Sequence, residues 1–291
     1  MLVTRGTVAV IGLGRMGAAM AGRLIEQGFE VVGYDVQPQA REALQARAEV
    51  VESAAALAGR ADWYLISLPS SREVEQILIQ DTGLLRSLEP GACVIDCSSS
   101  DPRSTRGLAE VANSRGIAFL DAPVSGGPAG AEAGTLAIAV GGTVDALETA
   151  WPVLGAMAAR IVHVGDSGAG HVAKIANNLL CAAHLMVDGA GVRLAAAAGV
   201  DPERLLEAVN AGSGRSAVTE AFMPKWVLNN AFNSGFTMSL MQKDLGLARD
   251  LLAEFRDDAM LSGLIDRWDQ ETERLGGQSD FTNVASVSLR E

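Results

Sequence analysis

This chain is poor in cysteine, histidine and positive charge, and each shortage removes a class of function. Cys93, Cys97 and Cys181 are its only cysteines and share no C-x-x-C spacing. Neither a disulfide framework nor a zinc site is expected of them, and a reducing cytoplasm suits them best. The histidines His163, His171 and His184 do not converge on a metal-ligand spacing, so no metal is predicted. Lys and Arg number 23 against 35 Asp and Glu, a net charge of -12. A surface of that sign repels polyphosphate, and nucleic acid is not an expected partner. A basic-then-apolar leader is also missing from the start, where the apolar run from Thr7 to Leu13 leads straight into glycines and reads as a strand. The longest apolar region, Gly168 to Gly199, is interrupted by His171, Lys174, Asn177, Asn178, His184, Asp188 and Arg193. Secretion and membrane insertion are therefore not expected, and a cytoplasmic location is.

What is present is an ordinary globular balance, 48% hydrophobic and 20% charged over 291 residues, a length for one large domain or two modest ones. The first part alternates short apolar runs with helical stretches, the pattern of a parallel sheet covered on both faces. Strands are predicted at Thr7 to Ile11, Glu30 to Tyr34, Glu49 to Val51, Trp63 to Leu68 and Cys93 to Cys97. Further strands are predicted at Ala118 to Asp121, Leu136 to Gly141 and Arg160 to Val164. Between the first two, Met16, Met20, Leu24 and Ile25 recur at helical spacing up to Gly28, which completes a βαβ unit. After Gly165 only helices are predicted: Gly168 to Ala198, Asp201 to Ala211, Met241 to Phe255 and Ala259 to Leu275. The expected fold is thus an α/β Rossmann-like N-terminal domain over residues 1–165 and an all-α C-terminal domain over 166–291.

Gly12-Leu13-Gly14-Arg15-Met16-Gly17 sets G-x-G-x-x-G after the first strand and at the opening of the first helix. In that context Gly12 makes the tight turn, Gly14 admits a pyrophosphate close to the main chain, and Gly17 lets helix pack on strand. The second strand ends at Asp35, where a carboxylate accepts hydrogen bonds from ribose hydroxyls and repels a 2′-phosphate. NAD is expected, and NADP stays possible because Arg41 lies within reach. Asp35 is also placed to cap the helix that follows it.

On the substrate side, the run Asp121 to Pro128 exposes backbone amides and the Ser125 hydroxyl, which suits a carboxylate and suits a tight turn equally well. No G-x-S-x-G elbow surrounds Ser125, so it is not read as a nucleophile. Lys174 and Asn178 share one helical face, with His171 a turn earlier. Desolvation among the neighbouring alanines and leucines would favour a neutral Lys174, as proton transfer needs, although a solvated lysine on an exposed face has the same spacing. Gly165, Gly168 and Gly170 just before it favour the first reading. Cys93 and Cys97 are read as core packing. By spacing alone Lys243-Asp244 is a surface ion pair.

Taken together, these blocks resemble the β-hydroxyacid dehydrogenase family over nearly the whole chain. The resemblance rests on Gly12 to Gly17 with Met20-Ala21, Leu68-Pro69, Asp96 to Pro102 and Asp121 to Gly127. It continues through Gly130-Ala131, Gly134 to Leu136, Gly168 to Asn178 and Lys243 to Leu245. It implies that Lys174 is the catalytic lysine, Asn178 the amide beside it, and Ser125, Gly126 and Gly127 the loop that holds the substrate carboxylate. It implies further that Leu68, Pro69, Ser99 and Lys243 touch the cofactor, and that Gly12, Leu13, Gly14, Arg15, Met16 and Gly17 hold its pyrophosphate. The activity implied is reversible hydride transfer between NAD(P) and a small β-hydroxy acid such as 3-hydroxyisobutyrate, in a homodimer or homotetramer. Asp101 before Pro102 departs from the commonest pattern but is expected to cap a helix. The segments Gly212 to Ser216 and Phe222 to Trp226 match loosely, and Arg215 is either a partner for a second substrate carboxylate or a surface residue. An imine reductase on the same scaffold is the alternative, disfavoured by Lys174. A dinucleotide-binding module without chemistry is a second, and the same lysine counts against it.

Overall fold

The computed structural model describes residues 5–80, 83–255 and 258–287. Its first strand, β1 (Thr7–Ile11), is buried at every position after Thr7, as a central strand covered on both faces must be. From it α1 (Arg15–Glu26) returns the chain to β2 (Glu30–Tyr34), which pairs parallel with β1. Met20 and Leu24, four residues apart, are buried on the inward face of α1.

The chain then runs through α2 (Pro38–Gln45), β3 (Glu49–Val50), β4 (Trp63–Ile66), α3 (Ser71–Leu78) and α4 (Leu84–Ser87). It continues with β5 (Cys93–Asp96), α5 (Pro102–Asn113) and β6 (Ala118–Asp121). These six strands lie parallel in the order β3-β2-β1-β4-β5-β6, the doubly wound arrangement whose ligand crevice lies beyond the carboxyl ends of the strands. The sheet is extended by β7 (Val124–Ser125), α6 (Gly127–Ala133), β8 (Leu136–Gly141), α7 (Val144–Met157) and β9 (Ala158–Gly165). Here β8 runs antiparallel to β6 and β7, and β9 lies parallel to β8. Alternate residues feed opposite cores: Val8 and Val10 belong to one apolar cluster, Ala9 and Ile11 to the other. Cys93 is core, and burial pushes its thiol up to about 12. Burial, with neighbouring Asp96, raises the Cys97 thiol as well, so both stay protonated packing groups.

One difference from the predicted strands has a clear cause. β4 stops at Ile66, two residues short of Leu68, because the Leu68 amide donates to Ser98 Oγ (3.0 Å) instead of continuing the ladder. Asp101 caps α5 as expected, accepting from the Arg103 amide at 2.8 Å. The hydrogen-bonded Arg103 guanidinium holds its carboxyl below the usual range.

The chain divides into two compact units, Met1–Lys174 and Ile175–Glu291. The long helix α8 (Ala169–Ala197) starts in the first and continues through the second, followed by α9 (Pro202–Ala211), α10 (Met238–Phe255) and α11 (Ala259–Leu275). The described residues of the second unit form helices joined by loops, with one antiparallel bridge between Thr237 and Asp280, around a core that includes Met223, Met241, Leu245, Ile265 and Trp268. α10 begins at Met238 and not at the predicted Met241, because Thr237 Oγ1 accepts from the Leu240 amide (3.3 Å) and closes an earlier turn. A π-helix, Val218–Val227, was not predicted; it carries Pro224, which has no N–H to donate to its own ladder. By length and composition α8 could cross a membrane, with a mean hydropathy of 1.4 in its most apolar window, despite its polar residues. One of its faces nevertheless packs Ala182, Leu185 and Val192 into the core of the second unit.

Candidate active site

The three fingerprint glycines are required for different reasons. A Cβ on Gly12, whose φ is +90°, would lie 2.2 Å from the Ser67 carbonyl oxygen, and one on Gly17 would lie 1.8 Å from that of Gly12. Those two are dictated by the fold. Gly14 is not: its φ is −63° and a Cβ there would meet nothing within 4 Å. It stands at the N-cap of α1, which no side chain caps, so the helix amides open into a space that any side chain at 14 would begin to fill. This is a cradle shaped for a phosphate-bearing group and fits a dinucleotide.

Asp35 Oδ2 accepts from the Leu13 amide (2.7 Å) and Oδ1 from the Gln37 amide (2.8 Å). The carboxylate is thus fixed against the glycine turn, with lone pairs left for ribose hydroxyls. The residue at the N-cap of α2 is Gln37, so Asp35 serves the turn and not that cap. Arg41 is engaged as well, donating to the Asp35 carbonyl (2.7 Å) and to Glu52 (2.8 Å). A 2′-phosphate would have to draw it away from both. Asp35→Ala is expected to weaken NAD by about tenfold or more and NADP by less. Parallel cofactor titrations measure this, and equal losses would remove the repulsion argument.

A second cluster forms around the start of α8. Lys174 Nζ donates to Ser125 Oγ at 3.1 Å, joining residues 49 apart in sequence. Beside them Gly126 and Gly127 take φ values of +128° and +67°, a backbone that favours glycine, and a Cβ on Gly127 would meet nothing within 4 Å. The helix end itself is held by Asp121, the last residue of β6, for which the sequence suggests no capping role. Its buried carboxylate accepts from the Gly168 amide (2.8 Å) and the His171 amide (2.9 Å). A cap of this kind contributes about 1 kcal/mol, and the helix dipole favours the negative charge. Leu68 and Ser99 flank this region through the Leu68 bond to Ser98, and Pro69 is exposed beside them.

In the second unit Asn178 Nδ2 donates to Asp244 Oδ2 at 2.6 Å, and Asn178 Oδ1 accepts from Asn177 Nδ2 at 3.0 Å. Lys243 Nζ lies 3.1 Å from Asp244 Oδ1. The surface ion pair expected at 243–244 is therefore corrected, since Asp244 is 3% exposed and orients the Asn178 amide. The missed signal was periodicity: Asp244 falls on the same face of α10 as the core residues Met241, Leu245 and Ala248. Arg215 is exposed and lies 3.6 Å from Glu220, a partner within its own segment. Among the described residues no three His, Cys, Asp or Glu side chains gather where they could hold a metal.

Residues 7–165 match the family described as the NAD binding domain of 6-phosphogluconate dehydrogenase. Residues 168–288 match that described as NAD-binding of NADP-dependent 3-hydroxyisobutyrate dehydrogenase. The NAD-dependent L-serine dehydrogenase of Pseudomonas aeruginosa is 41% identical over 251 residues, covering 84% of each chain. The chain belongs to the β-hydroxyacid dehydrogenase family. Another of its relatives, the 2-(hydroxymethyl)glutarate dehydrogenase of Eubacterium barkeri, is 40% identical over 242 residues, 83% of this chain and 80% of that one. A solved structure of the Mycobacterium tuberculosis 3-hydroxyisobutyrate dehydrogenase with L-serine aligns at a TM-score of 0.89. It has 33% identity and covers 96% of this chain and 98% of that one. As a β-hydroxyacid dehydrogenase the protein is an NAD(P)-dependent oxidoreductase acting on the CH–OH group of a hydroxy acid.

Proposed function

We propose that Lys174 is the acid/base of a reversible oxidation of a 2-substituted 3-hydroxypropanoate to its semialdehyde. The observation that carries this is the 3.1 Å bond between Lys174 Nζ and Ser125 Oγ, which puts a proton-carrying amine beside the loop best suited to a carboxylate. In oxidation neutral Lys174 takes the hydroxyl proton of the substrate; in reduction its ammonium polarises the carbonyl and gives the proton back. Bound NAD supplies the acceptor and donor of hydride, with NADP the second choice. Ser125, with the amides of Gly126 and Gly127, holds the carboxylate, and Asn178, held by Asp244, has a further amide hydrogen to offer the substrate. Leu68, Pro69, Ser99 and Lys243 are assigned to the cofactor.

The substrate class follows from the chemistry in the relatives' names. L-serine, 2-(hydroxymethyl)glutarate and 3-hydroxyisobutyrate all carry a primary alcohol one carbon away from the carbon that bears the carboxylate. The deciding experiment assays purified protein with NAD and NADP against those three acids, glycerate and 4-hydroxybutyrate. Preference for 4-hydroxybutyrate, whose alcohol lies one carbon further out, would defeat the reading. Lys174 also separates it from an imine reductase, because a hydroxyl substrate needs a base there in one direction and an acid in the other.

The protein acts as a homo-oligomer, paired through α8. Leu180, Val187 and Leu194 are 59%, 65% and 74% exposed and recur every seven residues. Ala176, Ala183, Ala190 and Ala197 repeat at the same interval between them. Such a strip of large and small apolar residues without charge matches a second copy of the same helix at close approach. A bilayer is a poorer fit, since the other face of α8 is committed to a protein core. Leu180→Glu combined with Val187→Glu is expected to halve the mass seen by sedimentation velocity while the protein stays folded. A wild type that sediments as a monomer would refute the pairing.

A further inference from the structure

Every buried polar or charged side chain among the described residues of the first unit, namely Asp96, Ser98, Ser100, Thr105, Asp121 and His171, belongs to one network. Asp96 accepts from the Ser98 amide (2.9 Å) and from Ser100 Oγ (3.3 Å), and Ser98 Oγ accepts from the Leu68 amide (3.0 Å). The His171 ring, wholly buried, ties these groups to α8. Its Nε2 donates to the Ser98 carbonyl at 3.0 Å, an acceptor that has no hydrogen to offer, and its Nδ1 lies 2.8 Å from Thr105 Oγ1 on α5. Asp96 Oδ2 and Asp121 Oδ2 each stand 3.9 Å from a ring nitrogen.

Asp121 and His171 constrain the helix in different ways. The Asp121 cap binds backbone amides at the end of α8, which fixes the helix along its axis but resists rotation about that axis only weakly. The imidazole reaches sideways to β5's exit segment and to α5, and that contact opposes rotation. Gly170 adds a tight seat, since a Cβ there would lie 2.6 Å from the Asp121 carbonyl oxygen and 2.8 Å from that of Ala139. A rotation of about 10° moves an atom at the helix surface, roughly 5–6 Å from the axis, by about 1 Å. Misplacement of a catalytic group by about 1 Å costs on the order of 100-fold in rate.

We propose that His171 is a positioning residue, which by joining Ser98 and Thr105 to the first turn of α8 sets the rotation that aims Lys174 at Ser125. The assignment rests on the acid/base reading of Lys174. It explains why an imidazole, with donors or acceptors on two sides of a ring, occupies a fully buried position in a dehydrogenase that gives it no substrate to touch. It also joins the Leu68 and Ser99 segment, assigned to the cofactor, to the helix that carries the amine.

The test compares kcat, KM, NAD affinity and the pH profile of kcat in His171→Leu, His171→Gln, Thr105→Val and Lys174→Ala. In His171→Leu, kcat is expected to fall on the order of 100-fold and the pH limb belonging to Lys174 to move, with NAD affinity held within about twofold. His171→Gln, whose amide can donate to the Ser98 carbonyl, is expected to recover to within about tenfold of wild type. Thr105→Val keeps its shape and removes the Nδ1 partner, along with a 3.1 Å bond to the Asp101 carbonyl at the start of α5, so it reports even where His171→Leu fails to fold, with an expected loss of about three- to tenfold. An unchanged kcat in His171→Leu or Thr105→Val overturns the proposal. So does a loss equal in the Leu and Gln variants with the pH limb unmoved, which marks a purely structural residue. If Lys174→Ala is inactive while His171→Leu turns over normally, the positioning role falls alone; if Lys174→Ala keeps its turnover, both fall.

Discussion

Lys174→Ala lowers kcat on the order of 10²- to 10⁴-fold, the range a positioned proton-transfer group supplies, while the protein binds NAD with little change. The two outcomes separate because the amine meets Ser125, in the loop proposed for the substrate carboxylate, whereas the proposed partners of the cofactor's phosphates and ribose are the glycine turn and Asp35, which the substitution leaves untouched. Alanine is the best helix former, so α8 keeps its first turn and the Asp121 cap, and the variant stays folded. Steady-state kinetics with NAD titration is the measurement. Turnover within a few-fold of wild type would leave the hydroxyl proton without the carrier assigned to it. Small primary amines added to the alanine variant are expected to restore part of the rate, and more so at a pH where they are neutral in the oxidative direction.

The second large effect is a contrast between neighbouring glycines. Gly14→Val leaves thermal stability nearly unchanged, because a Cβ there meets no protein atom within 4 Å, but it fills the space assigned to the pyrophosphate. Losing two amide contacts to an anion weakens NAD by about 100-fold or more. Gly17→Ala behaves the other way round. Its added Cβ would sit 1.8 Å from the Gly12 carbonyl oxygen, so helix and strand must separate, at a cost that lowers Tm by about 5–10 °C. Thermal unfolding paired with NAD titration distinguishes the two, and a Gly14→Val protein that binds NAD as well as wild type would show that the cradle belongs to no cofactor.

Much of the first unit was legible in the chain because its signals are local. The strand, turn and helix around Gly12 to Gly17 are set by residues within one βαβ unit, and Asp35 follows from where β2 ends. Continuous apolar strands, as in β1, announce cover on both faces, and right-handed crossovers then leave few possible strand orders. The second unit was less legible in detail. The π-helix Val218–Val227 lacks a 3.6-residue period even though Ser216 Oγ accepts from the Thr219 amide at its start, and Thr237 capped α10 a turn before its apolar pattern became visible.

By itself the sequence determined the class of fold and the glycine turn that suits a dinucleotide. Each of these depends on residues a few positions apart, whose geometry the backbone fixes. Only the tertiary structure decided what Lys174 reaches, which carboxylate seats its helix, why His171 is buried, and that Asp244 faces inward to hold Asn178. Those pairings join residues from 47 to 73 positions apart. They form because a buried polar group must find a partner wherever packing has brought one, and no periodicity along the chain records which partner that will be.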